Sequence, residues 1–140
     1  MRTVWVVSAA VLLGSSSGCK LAGADNLSEA EARLEERGVE VYHEQHCGTC
    51  HTLTRAGTGG AFAPSHDGVA THAEARIHDP NYHGEAVSAS DYIHESIQNP
   101  GAYKVPGYEH TRFTMPAYTG LSAEDLDALV FMLSREHEEE

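Results

Sequence analysis

Positive charge is scarce in this chain: 9 lysines and arginines stand against 21 acidic residues, a formal charge of −12 over 140 residues. Phosphate binding needs the opposite balance, which argues against nucleic acid as a partner. The acidic excess favours solubility and attraction to a basic partner, and it says nothing about fold. Long apolar runs are missing too. The most apolar stretch, Val4 to Leu13, is ten residues long, against the roughly 20 needed to cross a bilayer. With Arg2 before it and the small residues GSSSGC after it, it has the layout of a secretory signal. No segment alternates convincingly enough to suggest a strand. Cysteine is limited to Cys19, Cys47 and Cys50, and the only tryptophan, Trp5, lies within the signal.

Ser16-Ser17-Gly18-Cys19 resembles a bacterial lipobox, in which the cysteine is diacylated and becomes the mature N-terminus; Ser16 stands where that pattern prefers leucine. The expected organisation is a signal over 1–18, a lipidated N-terminus and tether over 19–26, a folded domain over 27–136 and an acidic tail over 137–140. Cleavage before Cys19 leaves all 21 acidic residues against 8 basic ones. The tether spans at most about 25 Å when extended. The expected location is the periplasm or the outer face of an inner membrane, held there by lipid.

With Cys19 assigned to lipid, an exported chain would ordinarily pair its remaining thiols. Cys47 and Cys50 sit in CGTCH, with His51 directly after. A disulfide between cysteines three apart closes a very short loop and adds little stability. Zinc wants four ligands, and there is no second cysteine pair. The third possibility is covalent haem attachment through C-x-x-C-H. Two thiols a helical turn apart can each join one haem vinyl group, and the adjoining histidine can then face the iron. The candidate second axial ligand is Met115, in RFTMPAYTG, 64 positions past His51. Pro116 biases Met115 away from helix, and Pro106, Gly107 and Gly120 mark the surroundings as loop. Met132 instead belongs to a helical stripe with Leu126, Leu129, Val130 and Leu133, a packing position.

Three helices are legible. The first covers Leu27 to His46, with Ser28 as cap, acidic residues Glu29 and Glu31 in the first turn, and Gly38 as an interruption that suggests a close helix crossing. The second runs from Ser88 to Gln98, with Tyr92, Ile93 and Ile97 inward, and stops at Asn99-Pro100. The third opens with Ser122 as cap and Asp125 three residues on. Between Thr52 and Val87 lies a long glycine- and histidine-rich stretch, with a short helix near Ala70–Ile77 at most. A connection of that length suits a compact domain only if something large fills the centre.

Together, the N-terminal helix with its glycine and aromatic, the CGTCH motif, the Met115-Pro116 loop and the C-terminal helix resemble a class I c-type cytochrome of one haem. The resemblance covers about residues 27–136. It implies an all-α fold, a small cytochrome c fold of three to four helices around one covalent haem c. It implies haem attachment at Cys47 and Cys50, iron ligation by His51 and Met115, and a hydrogen bond from His51 to the carbonyl of Pro64. DYIHESIQNPGAYKVPGYE and MPAYTGLSAEDLDALVFML are similar to cytochrome c domains of bacterial respiratory complexes, such as caa3-type oxidases and alternative complex III. The function so implied is electron transfer in a bacterial respiratory or photosynthetic chain, as a tethered subunit or local carrier and not as an enzyme in itself. Partners would be membrane oxidoreductase subunits, for example a quinol-oxidising complex or a terminal oxidase.

Two positions depart from the family pattern. Met132, or Phe131 after a small shift, stands where an aromatic usually packs on the N-terminal glycine. With no tryptophan in the domain, a haem propionate must be held by others, with Arg76, Tyr82, Tyr103 and Lys104 as candidates. The rival readings are a haem sensor or peroxidase-like protein using His66, His72 or His83 as distal base, bis-histidine ligation with His110, and a loose copper or zinc site of His66, His72, His78, His83 and Asp67. The acidic surface reads equally as a docking face or as plain solubility, and EHEEE at the end as a solvated tail.

Overall fold

The computed structural model describes residues 28–138, so the expected signal, Cys19, the expected tether and the last two residues lie outside it. Four helices follow in order: α1 (Glu29–Glu44), α2 (Val69–Arg76), α3 (Ala89–Gln98) and α4 (Ala123–Leu133). Three begin at a serine. Ser28 Oγ accepts from Glu31 N–H while the Glu31 carboxylate accepts from Ser28 N–H, a reciprocal capping box. Ser88 and Ser122 each accept from the N–H three residues on, satisfying a donor the helix itself cannot. The first helix ends two residues earlier than its sequence suggests. His46 adopts a left-handed conformation (φ 59°, ψ 27°), which stops the helix and turns the chain into the Cys47–Thr49 turn.

The helices enclose a core in which Val41, Tyr42 and Met132 are fully buried and Leu129 and Leu133 nearly so. α1 and α4 cross at Gly38. A Cβ there would overlap the Ala128 carbonyl oxygen and lie 2.5 Å from Met132 Cβ. Thus Met132, not Phe131, is the residue packed on the glycine; Phe131 is half-buried with the Arg135 guanidinium over its ring. Arg37 clips the same crossing together, its Nε 2.8 Å from Asp125 Oδ1, and Glu40 and Glu44 accept from its other nitrogens.

Sequence pattern missed one element. Thr52–Leu53 (β1) and Thr58–Gly59 (β2) form a two-residue antiparallel pair, turned by Gly57 at φ 65°. Two residues are too few for alternation to register. The C-terminal segment is also less solvated than its acidity suggests. Glu136 accepts from Arg55, the Glu136 carbonyl accepts from Ala70 N–H, and Glu138 N–H donates to Thr71. Among the described residues no helix is long and apolar enough to cross a membrane.

Candidate functional site

The CGTCH segment is a turn held by its own backbone and by its neighbours. Backbone N–H groups of Cys50 and His51 both donate to the Cys47 carbonyl. The Cys50 carbonyl in turn accepts from Phe62 and Ala63. The β1–β2 hairpin braces the motif, because Gly60 presses on its backbone: a Cβ there would lie 2.5 to 2.7 Å from Cys50 C, Gly48 O and His51 N. Only glycine permits that approach. Both cysteines are free thiols, and burial pushes the Cys47 thiol up to about 11, so it is held as S–H.

His51 is buried, 8% exposed. Its Nδ1–H donates to the Pro64 carbonyl at 2.7 Å, which leaves the Nε2 lone pair free. Burial holds the imidazole below its ordinary pKa despite that bond. A neutral ring with a free nitrogen is what a metal requires of histidine. The Met115 loop is fixed by a residue the sequence does not flag. Tyr118 N–H donates to the Ile97 carbonyl, its own carbonyl accepts from Gln98 Nε2, and its hydroxyl donates to the Gln45 carbonyl. The partner of that last bond lies 73 residues away, and no local pattern announces it.

Cys47, Cys50, His51, Pro64 and Met115 all line one cleft with about 1310 Å³ of free space, its open mouth included. Ile93, Ile97, Leu129 and Leu133 supply apolar wall. Two reduced thiols, an imidazole nitrogen and a thioether sulfur around an apolar slot form a donor set that suits a covalently attached haem. Arg76, Tyr103 and Lys104 line the cleft as well; Tyr82 does not, its hydroxyl being engaged with Glu95 and Ala86.

The histidine-rich stretch does not assemble as the rival readings require. His66 stacks face to face on His51, 3.8 Å between ring centres and 14° from parallel, so it packs against the motif histidine itself and not across the cleft from it. His72 faces Glu138, Asp67 accepts from Thr54 N–H and hydroxyl, and His78 and His83 are exposed. Among the described residues no three potential ligands gather as a metal site. His110 is exposed and is not among the residues lining the cleft.

Helices of this number, with a cleft of this chemistry, define a small haem protein of the c type. The cytochrome c family model matches residues 35–135, and the chain belongs to that family. No curated protein and no solved structure gives a significant match. The fold is the small all-α cytochrome c fold, the cofactor is one covalently bound haem c, and the activity is haem-based electron transfer.

Proposed function

We propose that this chain carries single electrons through a closed His/Met haem site at the outer face of a membrane, tethered through acylated Cys19. The observation that carries the reading is the convergence of Cys47, Cys50, His51 and Met115 on one apolar cleft. When bound, the haem iron supplies a reversible one-electron couple. The chain's own residues do the rest. Cys47 and Cys50 would hold the haem covalently through their sulfur atoms. His51 presents Nε2 from one side, oriented by the Pro64 carbonyl, and Met115 presents its sulfur from a loop held by Tyr118. Held by both His51 and Met115, the iron would offer no place for a substrate, and no side chain need act as acid, base or nucleophile. Ile93, Ile97, Leu129 and Leu133 exclude water, and methionine ligation raises the potential relative to two histidines.

The short tether expected over 20–26 supports action beside membrane oxidoreductases of a respiratory or photosynthetic chain, as a subunit or local carrier. The charge of −12 suits a basic docking partner whose attraction weakens as salt rises. The test is optical. Protein matured with its haem is examined oxidised and reduced, with and without carbon monoxide. A c-type reduced spectrum, the weak red band of ferric methionine–sulfur ligation and indifference to carbon monoxide are expected. A high-spin ferric form with ready carbon monoxide binding would remove Met115 from the ligand set and favour the sensor or peroxidase-like reading.

A further inference from the structure

Hydrogen bonding to the Pro64 carbonyl at 2.7 Å fixes the tautomer of His51 and orients its ring from one edge. A second restraint acts on its face. The His66 imidazole lies on it 3.8 Å away and 14° from parallel. His66 is itself held at three points: its N–H donates to the Thr52 carbonyl at 2.8 Å, its carbonyl accepts from Val69 N–H at 3.0 Å, and Nδ1 shares a hydrogen bond with Tyr42 Oη at 3.1 Å. Tyr42 is fully buried within α1 and its ring meets His66 edge-on. The line Tyr42–His66–His51 thus runs from the helical core to the proximal ligand.

We propose that His66 is a positioning residue for the axial histidine: a flat plate, anchored to the core through Tyr42, that sets the plane of the His51 ring. The proposal rests on His51 being the axial ligand. The plane of an axial imidazole decides which metal d orbital it overlaps, so its restraint is read directly in the magnetic spectrum of the ferric protein. A residue that merely filled space would leave that spectrum unchanged.

The experiment compares low-temperature EPR of the ferric haem-loaded protein with His66→Leu, His66→Phe and Tyr42→Phe. His66→Leu keeps apolar bulk but removes the flat face; the largest g value shifts and the single low-spin species broadens or splits. His66→Phe restores a flat face, and the wild-type g values return. Tyr42→Phe releases the anchor and gives a smaller shift in the same sense as His66→Leu. Unchanged g values in His66→Leu overturn the proposal, as does a shift that His66→Phe fails to reverse. Should His66→Leu not accumulate, wild-type-like g values in Tyr42→Phe, with any departure in His66→Phe, overturn it equally. Absence of a low-spin c-type spectrum in the wild type is a different result, one that strikes the ligation reading itself.

Discussion

Replacing Gly38 by alanine tests the helix crossing on which the whole cleft depends. In isolation the change favours α1, since a glycine inside a helix costs about 1 kcal/mol relative to alanine. The crossing opposes it. The added methyl would overlap the Ala128 carbonyl oxygen and sit 2.5 Å from Met132 Cβ. Neither obstacle can rotate away, one being backbone and the other the root of a fully buried side chain. Overpacking of this kind costs about 1–3 kcal/mol, and because the relief must come from moving a helix, the upper figure applies. The net expectation is a loss of about 2 kcal/mol, a fall in Tm of roughly 10 °C for a domain of this size. The assay is thermal unfolding of the haem-loaded protein by circular dichroism. Ala32→Gly, on the exposed face of the same helix, serves as control and reads propensity alone. A Gly38→Ala protein as stable as wild type, or more so, would refute the close crossing.

Three further outcomes follow from the site and its supports. Tyr118→Phe deletes the bond to the Gln45 carbonyl, worth about 1 kcal/mol; on the proposed Met115 ligation, methionine should leave the iron about fivefold more often, measured as faster binding of added imidazole, and an unchanged rate would dismiss the latch. Arg76→Gln removes a cation that lines the cleft and already disfavours charge on His51; the midpoint potential should fall in a potentiometric titration, and a rise would contradict its placement. The Asp125 carboxyl is held below its ordinary value of 3.8, chiefly by its hydrogen bond from Arg37. A carboxylate whose pKa is depressed on folding stabilises the fold above its unfolded pKa and loses that contribution as pH falls through the folded value. Asp125→Asn should therefore lower stability at neutral pH and flatten its fall below about pH 4, as read by denaturant melts across that range; equal slopes would refute the pairing.

Much of the fold was legible because its helices announce their own starts. Ser28, Ser88 and Ser122 cap through bonds to residues three positions away, which a linear sequence displays directly. The CGTCH motif was legible for the same reason: thiol, thiol and imidazole are neighbours in sequence. What escaped was contact between segments far apart. Nothing near Tyr118 points to Gln45, nothing near His66 points to the face of His51, and Glu136 gives no sign that Arg55 awaits it. The histidine-rich stretch looked like a reservoir of ligands because composition reports residue types and not where their side chains meet.

The position of the motif along the chain has a consequence in time. Cys47 and Cys50 leave the ribosome early, but Leu129 and Leu133, which help wall the cleft around them, are made about 80 residues later, several seconds at ~5–20 residues per second. Burial in the closed cleft pushes the Cys47 thiol up to about 11; a thiol not yet buried ionises, and so reacts, more readily. Haem attachment is therefore a race. In the exported setting proposed above, it must reach two unguarded thiols before oxidation joins them to each other.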